Sequence, residues 1–334
     1  MSKISTYAEA GVDRKLEEKS VNALLDTIKS GLKHTTESTA DGLFAGGIDI
    51  GDNVLSLATD GVGSKILLAE DLGIYNTVGI DCVAMNVNDL LASGSVPAAF
   101  VDYIAIREPD SEKISSIVEG VVEGCNQSAI TLVGGETAIL PELIQGPKNN
   151  FDLAGTALGI SSKSNPFLKN NIESGDIILG IESSGVHSNG FTLARKLFNE
   201  HEIELKKMLL TPTRIYVNCI KDCVDNNIVF HGMAHITGGG LRNLLRLGKH
   251  HFQLNEWEIP LIFKEIQQRG NIELKEMFTT FNMGIGFILI VSEDMVSKVI
   301  SIIENYFPIK RIGIVRNSDT PLVSFSDMEF GEKI

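Results

Sequence analysis

Hydrophobic and polar positions along this chain follow two periods, one typical of helices and one typical of buried strands. Near the N-terminus the apolar positions have helical spacing, at Val21, Leu24, Leu25, Ile28 and Leu32. A Gly-rich stretch without a helical period follows at 39–53. Beyond it, short uninterrupted apolar runs alternate with helical patterns. Such alternation predicts an α/β protein.

The first half of the chain is predicted to alternate strands and helices. Strands are predicted at 54–60, 77–81, 97–106, 130–137 and 151–160, and helices at 66–73, 83–94 and 111–129. Ser111 is the predicted N-terminal cap of the last helix, and Gly94 ends the helix before it. The strand at 130–137 runs into a Gly-rich turn.

The segment 161–171 is the best candidate for a domain boundary, because Ser, Asn and one Pro replace the apolar periods there. We therefore predict two domains, 1–165 and 166–334. A chain of 334 residues is long enough for both. The second half repeats the order strand, loop and helix at 176–198 and 231–247, and closes with strands near 284–291 and 310–315.

The charge of the chain excludes several classes of partner. Lys and Arg number 29 against 43 Asp and Glu, which gives a formal net charge of −14. A negative field of this size opposes binding to nucleic acid and to anionic membranes, which both need basic surfaces. A polyanionic substrate would need a metal ion or local backbone donors. The 32 Gly against 9 Pro indicate tight backbone turns rather than disorder.

Several features predict a cytoplasmic protein. The N-terminus is polar and lacks the apolar core of a signal peptide. The longest apolar stretch, near Gly286–Val291, is far shorter than the roughly 20 residues that span a bilayer. The cysteines at 82, 125, 219 and 223 form no C-x-x-C pair, so neither a zinc site nor a disulfide framework is indicated.

The first candidate site is the sequence ATDGVGSK at 58–65. A strand delivers Asp60 to its C-terminal end, and Gly61 and Gly63 allow a ligand to approach the backbone. Lys65 supplies a positive charge where the next helix begins, a place that already favours anions. The spacing matches neither a Walker A loop nor G-x-G-x-x-G. From spacing alone, a tight structural turn and a phosphate or metal site are equally compatible.

A second candidate site is a set of acidic residues near Gly-rich turns. Asp60, Asp89 and Glu136 are predicted to bind a divalent cation, because Mg²⁺ takes one or two carboxylates and completes its shell with phosphate and water. Asp81 precedes Asp89 by about 12 Å of helix, too far to share one ion, and is predicted to cap the helix. Taken singly, each acid is more often a cap or a solvated residue.

The third candidate site is the loop SSGVHSNGF at 183–191, between a predicted strand and a predicted helix. Its hydroxyl, imidazole, amide and backbone groups suit a monophosphate. The alternative is a helix cap by Ser188 or Asn189 with His187 on the surface. A related loop at 234–243 has three consecutive Gly before a helix.

Longer motifs carry a family resemblance. In order along the chain they are YAEAGVD, TDGVGSK, GIDCVAMNVNDLL, EGCNQSAITLVGGETA, SSGVHSNGFTLARK, LTPTRIYV, HITGGG and TFNMGIG. Together they closely resemble the aminoimidazole ribonucleotide synthetases, also called phosphoribosylformylglycinamidine cyclo-ligases, over nearly the whole chain. The TDG, ND and GGET elements alone indicate only the wider superfamily, whereas YAEAGVD, SSGVHSNG and TPTRIYV are far more specific.

The resemblance implies a fold and an activity. The N-terminal domain would bind ATP and pair with that of a second copy, so that their mixed sheets form a β-barrel across a homodimer. The C-terminal α/β domain would cover a cleft and bind the substrate phosphate. The implied reaction is the closure of formylglycinamidine ribonucleotide to aminoimidazole ribonucleotide, a step of purine biosynthesis that uses ATP and Mg²⁺.

The resemblance also assigns roles at matching positions. The ATP-binding residues are Lys29, Gly61, Gly63, Lys65, Asp81 and Asn88. The metal ligands are Asp60, Asp89 and Glu136, and the substrate-phosphate residues are Ser184, His187, Ser188 and Asn189. The catalytic residues are Asp60, Lys65 and His187, where His187 is either an acid–base group or only a phosphate donor. The stretch Gly42–Gly51 would close over ATP as a mobile flap.

Two departures from the family pattern and two alternatives remain. Ile139 stands where the family commonly has an acid, and the Gly-rich flap lacks the denser glycine pattern. Another superfamily activity, such as a kinase or a selenophosphate synthetase, would share the ATP half, but no Cys precedes Cys82 as the latter would require. A non-catalytic nucleotide-binding subunit is the other alternative, and the intact acids argue against it.

Overall fold

The computed structural model describes residues 14–31, 44–146, 150–199 and 201–331. The α-helices are α1 (Arg14–Gly31), α2 (Lys65–Leu72), α3 (Asn76–Ala92), α4 (Ser111–Ser128), α5 (Phe191–Ala194), α6 (Ile203–Leu210), α7 (Val217–Asp225), α8 (Leu261–Gly270), α9 (Leu274–Thr280) and α10 (Val296–Ile303). Short 3₁₀ helices lie at Arg195–Leu197, Gly240–Leu247 and Glu293–Met295. Within these ranges no helix is long and apolar enough to cross a membrane.

The strands build two separate sheets. They are β1 (Gly46–Ile50), β2 (Asn53–Gly61), β3 (Val96–Ile106), β4 (Thr131–Ile139), β5 (Phe151–Ser162), β6 (Ile177–Glu182), β7 (Gly232–His235), β8 (His250–Leu254), β9 (Ile285–Val291), β10 (Ile309–Asn317), β11 (Leu322–Phe325) and β12 (Met328–Phe330). The first sheet has the order β1-β2-β5-β3-β4, and the second has the order β12-β11-β8-β10-β6-β9-β7.

Both sheets mix parallel and antiparallel pairs. Strands β3 and β4 are parallel, as are β8 and β11, and the remaining pairs are antiparallel. The chain passes from the first sheet to the second between Ser162 and Ile177, and the predicted boundary at 165/166 falls in this connection. The prediction of a two-domain α/β fold with mixed sheets is confirmed.

The first sheet has one covered face and one open face. Helix α3, backed by α4, packs on the covered face, where Ala58 and Phe100 are buried. On the open face Leu57, Val101 and Tyr103 are 57%, 37% and 41% exposed. Because side chains alternate between the faces of a strand, these residues form one apolar surface that nothing in the described part of the chain covers.

The second sheet is buried at its centre. Strand β9 is buried along its whole length, and β6 is buried from Ile177 to Ile181. Each of these strands has a neighbour on both edges. A strand enclosed in this way needs no polar face, which explains why its sequence is a continuous apolar run rather than an alternating one.

The segment predicted as a strand at 77–81 is part of helix α3, so that prediction was wrong. The helix is buried on nearly every side, which leaves it no polar face and therefore no helical period in the sequence. Asp81 lies inside this helix rather than at its N-terminus, so it does not cap it. The cap of α4 is Asp110, whose carboxylate accepts a hydrogen bond from the backbone N–H of Lys113, and not Ser111.

Part of the predicted Gly-rich flap is regular structure. Gly46–Ile50 forms β1, which pairs antiparallel with β2 at the edge of the first sheet. Residues 42 and 43 of the flap lie outside the described residues. At least half of the segment is therefore a strand, and its glycines did not prevent pairing.

Candidate functional site

Two of the predicted site segments face each other across the domain interface. The turn 60–64 at the end of β2 and the segment 188–192, which runs into α5, line one cavity of about 210 Å³, together with Met85 of α3. The Ser64 and Thr192 hydroxyl oxygens lie 3.0 Å apart and link the two walls. Segments more than 120 residues apart in sequence thus form one cavity between the domains.

The backbone of the turn is held by hydrogen bonds. The Asp60 carboxylate accepts from the backbone N–H of Gly61 at 2.7 Å, and the N–H of Val62 donates to the carbonyl of Leu153 at 2.9 Å. Gly63 has a φ of +67°, a left-handed conformation that favours glycine. The turn therefore presents Asp60 and its own backbone to the cavity.

Asp60 and Asp89 form a pair of interacting carboxylates. Burial, together with the nearby charge of Asp89, raises the pKa of Asp60 to about 6. Asp89 is anchored by His235, whose Nδ1 lies 2.8 Å from its Oδ1. His235 is fully buried on β7, so this contact also joins the two domains. Two repelling carboxylates, of which Asp60 lines the cavity, fit Mg²⁺, which commonly takes one or two protein carboxylates.

Glu136 does not join this pair within one chain. It lies on β4 opposite Tyr103, on the open face of the first sheet. Asp60 lies opposite Gly155 in the same sheet and points to the covered face, where it lines the cavity. Throughout the described ranges, no group of three His, Cys, Asp or Glu residues is placed to hold a metal ion. The predicted set of three carboxylates is therefore not formed by this chain alone, because neighbouring strand positions face opposite ways.

Lys65 is fully buried and points away from the cavity. Its Nζ lies 2.7 Å from the Asp81 carboxylate and donates to the carbonyl of Thr211 at 2.8 Å. Burial lowers the pKa of Lys65, and the charge of Asp81 opposes that effect. Asp81 also accepts from the backbone N–H and the hydroxyl of Thr213, at 2.8 Å and 2.6 Å.

Asn88 binds the same segment of the second domain. Its amide donates to the carbonyl of Arg214 at 2.8 Å and its oxygen accepts from the N–H of Tyr216 at 3.1 Å. Lys65, Asp81 and Asn88, all predicted to bind ATP, thus hold the segment 211–216. That they touch ATP stays a prediction. Lys29 lies on α1, and its side chain is outside the described residues.

The loop 183–190 is tightly held as well. His187 is only 1% exposed, has a φ of +63°, and accepts a hydrogen bond at Nε2 from the N–H of Ser184 at 3.2 Å. Burial lowers the pKa of His187 well below its usual value, so the ring is neutral. The alternative with His187 on the surface and Ser188 or Asn189 as a helix cap is wrong, because Gly190 precedes α5 and no side chain caps it.

The sequence did not single out three residues that complete this site. His235 orients Asp89, and Thr213 binds Asp81. Arg246 stacks on the ring of Phe44 at 4.9 Å, and the charge of Asp89 partly offsets the lowering of its pKa by burial. His235 and Thr213 lie in the motifs HITGGG and LTPTRIYV, so those motifs were the available signal.

The fold and this interdomain site define the class of protein. A family model described as AIR synthase related protein, N-terminal domain, matches residues 44–161. The corresponding C-terminal domain model matches residues 173–323. The two models cover most of the chain, which therefore belongs to the AIR synthase family.

Curated relatives narrow the class further. A phosphoribosylformylglycinamidine cyclo-ligase of Pyrococcus horikoshii is 43% identical over 322 residues, which cover 93% of this chain and 95% of that protein. A protein of the same name from Methanocaldococcus jannaschii is 44% identical over 330 residues, covering 94% and 93%. The chain is thus similar to complete cyclo-ligases over nearly its whole length.

Solved structures share the fold at low identity. A chain of the HypE–HypF complex superposes with a TM-score of 0.67 at 16% identity, covering 93% of this chain and 98% of that chain. Thiamine monophosphate kinase from Aquifex aeolicus has a TM-score of 0.64 at 15% identity, covering 96% and 99%. These likenesses show that the two-domain architecture is shared.

Proposed function

We propose that this chain is an ATP-dependent cyclo-ligase that closes formylglycinamidine ribonucleotide to 5-aminoimidazole ribonucleotide, with release of ADP and phosphate. Support comes from relatives of that name that match nearly the full length at more than 40% identity. The observation that carries the proposal is the interdomain cavity, lined on one side by the turn of Asp60 and on the other by the loop 188–192.

The chemistry requires activation of a weak electrophile. The formamide oxygen takes the γ-phosphoryl group of ATP, the amidine nitrogen attacks the formyl carbon, and phosphate leaves as the ring forms. Phosphoryl transfer depends mainly on positioning and on neutralising charge, with little covalent help from the protein. A site with two carboxylates, Gly-rich turns and no activated nucleophile is suited to that task.

Each part of the site has a proposed task. Asp60 and Asp89 would hold Mg²⁺, which neutralises charge on the transferred group. Gly61 and Gly63 would bring the backbone close to the ATP phosphates. Three residues would act indirectly, by positioning the segment 211–216 that they bind: Lys65, Asp81 and Asn88. His187 is neutral and buried, which favours a positioning role over acid–base catalysis.

The substrate end of the cavity is assigned to the second domain. We propose that the loop bearing Ser184, His187, Ser188 and Asn189 receives the ribose phosphate. Ser188 and Asn189 line the cavity directly. Ser184 and His187 stabilise the loop from within, through the hydrogen bond between the Ser184 N–H and His187.

We further propose that the protein is a cytoplasmic homodimer joined through the open face of the first sheet. Leu57, Val101 and Tyr103 form an apolar surface there that a second copy would bury. Glu136 lies on the same face, so a dimer would enclose it. Sedimentation of the native chain and of Val101→Asp tests this, because a charge on that face should yield monomers. A Val101→Asp variant that stays dimeric would contradict the proposed interface.

The activity is tested by incubating the chain with formylglycinamidine ribonucleotide, ATP and Mg²⁺ and measuring aminoimidazole ribonucleotide together with ADP. We expect equal amounts of both products and none without ATP. A folded chain that binds ATP but forms no aminoimidazole ribonucleotide would refute the proposal. ATP turnover without the substrate would point instead to a kinase-type or ATPase activity.

A further inference from the structure

The serine hydroxyls of the loop 183–190 donate their protons into the protein. The Ser184 hydroxyl lies 2.5 Å from the carbonyl oxygen of Pro212. A carbonyl oxygen can only accept a hydrogen bond, so the single hydroxyl proton of Ser184 is used in this contact. Ser184 therefore has lone pairs, and no proton, left for a ligand.

The same holds for Ser188 through a longer chain of hydrogen bonds. Asp81 is ion-paired with Lys65, so its carboxylate can only accept. The Thr213 hydroxyl, 2.6 Å from Asp81 Oδ1, must therefore donate to it. The Ser188 hydroxyl lies 3.2 Å from the Thr213 oxygen, which has no second proton to give. Ser188 is consequently the donor in that contact.

The remaining side-chain donors of the loop are nitrogen atoms. In the described part of the chain, Asn189 Nδ2 and His187 Nδ1 are buried without a hydrogen-bond partner. Of the two residues, Asn189 lines the cavity. A Cβ at Gly238 would lie 2.7 Å from Asn189 Oδ1, so the amide oxygen faces that glycine. A buried amide donor without a partner indicates a ligand acceptor, since such groups are normally satisfied.

We propose that this loop offers a ligand a hydrogen-bond donor at one residue and an acceptor at the next, a division that we call its polarity. Asn189 donates to a phosphate oxygen, whereas Ser188 accepts a hydrogen bond from an N–H group of the substrate, a group that ribose 5-phosphate lacks, and Thr213 is the positioning residue that sets this direction. The inference rests on the proposed function, because it takes this loop as the substrate end of the cavity. It deepens that proposal by dividing the loop into a phosphate-binding residue and a donor-recognising residue.

Reversing the direction would be unfavourable. If Ser188 donated to a phosphate, the Thr213 oxygen would lose its donor. If Thr213 turned to donate to Ser188, the buried carboxylate of Asp81 would lose an O–H partner next to Lys65. Hydrogen bonds to buried charges are among the costliest to leave unmade. The ion pair of the first domain thus fixes the proton direction in the second.

The experiment measures the binding of ribose 5-phosphate and of the complete substrate by calorimetry. We expect Asn189→Ala to weaken the binding of ribose 5-phosphate at least tenfold. The isosteric Asn189→Asp should weaken that binding further. We expect Ser188→Ala to keep the affinity for ribose 5-phosphate within twofold of the native value while weakening the binding of the complete substrate. Ser301→Ala, an exposed hydroxyl on α10 that bonds within its own helix, is the matched control.

The decisive variant is Thr213→Val, because it removes the hydroxyl oxygen that accepts the Ser188 proton. Ribose 5-phosphate should then bind as well as before or tighter, while the complete substrate weakens, and Thr213→Ser should restore native binding. The polarity is overturned if Ser188→Ala weakens ribose 5-phosphate as much as Asn189→Ala does. It is also overturned if Asn189→Ala weakens neither ribose 5-phosphate nor a non-hydrolysable ATP analogue.

The source of the phosphate is distinguished by the same variants. If Asn189→Ala weakens only the ATP analogue and Ser188→Ala leaves that analogue unchanged, the polarity is supported. In that case the assignment of this loop to the substrate phosphate fails. Thermal melting of every variant shows whether a lost affinity reflects the site or an unfolded chain.

Discussion

Helix α3 carries two aspartates, Asp81 and Asp89, that the structure uses in opposite ways. Asp81 is fully buried and neutralised by Lys65. Asp89 keeps 20% of its side chain exposed and is bound by His235, and a second carboxylate, that of Asp60, lies nearby. Both aspartates contact the second domain, but the charge of Asp81 is neutralised by Lys65, whereas the charge of Asp89 lies beside another acid and is available to a ligand.

The largest effect is expected where the buried pair is broken. Asp81→Ala leaves Lys65 buried without an opposing charge, and should lower the free energy of unfolding by about 3–5 kcal/mol. Urea denaturation at pH 7 measures it. Asp71→Ala is the matched control, since its contact with Lys206 at 3.5 Å involves a carboxylate that is 60% exposed. That control should cost less than about 1 kcal/mol. Equal costs for the two variants would contradict the comparison.

The opposite behaviour is expected at Asp60. Asp60→Asn removes one of the two carboxylates proposed to bind Mg²⁺ and should lower turnover at least about 100-fold, or ~2.7 kcal/mol of transition-state stabilisation. The fold should remain intact. Asp225→Asn, at the exposed end of α7, is the control and should keep turnover within twofold. Full turnover in Asp60→Asn would mean that the metal is bound elsewhere.

The raised pKa of Asp60 also predicts how stability depends on pH when no divalent cation is bound. The folded state holds this proton up to about pH 6, and the unfolded state releases it near 3.8. Stability from Asp60 is therefore full below about pH 4 and is lost as the pH rises to about 6. The free energy of unfolding lost over this pH range is at most about 3 kcal/mol, and screening by solvent makes it smaller.

Denaturation of the native chain and of Asp60→Asn in EDTA, between pH 4 and pH 7, measures this effect. Asparagine carries no charge at any of these pH values. The stability advantage of Asp60→Asn should therefore grow with pH and level off above about pH 6. An advantage that does not change with pH would show that the carboxylate is not destabilised by its surroundings.

The smallest effect is expected at His235, which orients Asp89 without contacting the cavity itself. His235→Leu removes the hydrogen bond and should weaken Mn²⁺ binding about tenfold. His235→Asn keeps a donor near the position of Nδ1 and should stay within about threefold. Paramagnetic resonance of free Mn²⁺ measures both. Equal affinity in all three proteins would show that the contact serves only to join the domains.

Sequence patterns predicted most elements of the first domain, and the wrong strand prediction at 77–81 has an identifiable physical cause. Strands β2, β3, β5 and β9 were predicted because each is a short apolar run bounded by turns. The start of α3 was predicted as a strand because burial on nearly every side removed the polar face that marks a helix. A hydrophobic pattern shows which positions are buried. It distinguishes a helix from a strand only where exposed positions recur between the buried ones.

The candidate site shows the same division between what is local and what is not. The sequence by itself determined which two segments offer groups suited to a ligand, the turn of Asp60 and the loop of Asn189, because residue type and spacing are local properties. Only the tertiary structure decided that Lys65 pairs with Asp81, that Glu136 faces away from Asp60, and that His235 meets Asp89. Those outcomes depend on strand register and domain docking, which join residues that the sequence keeps far apart.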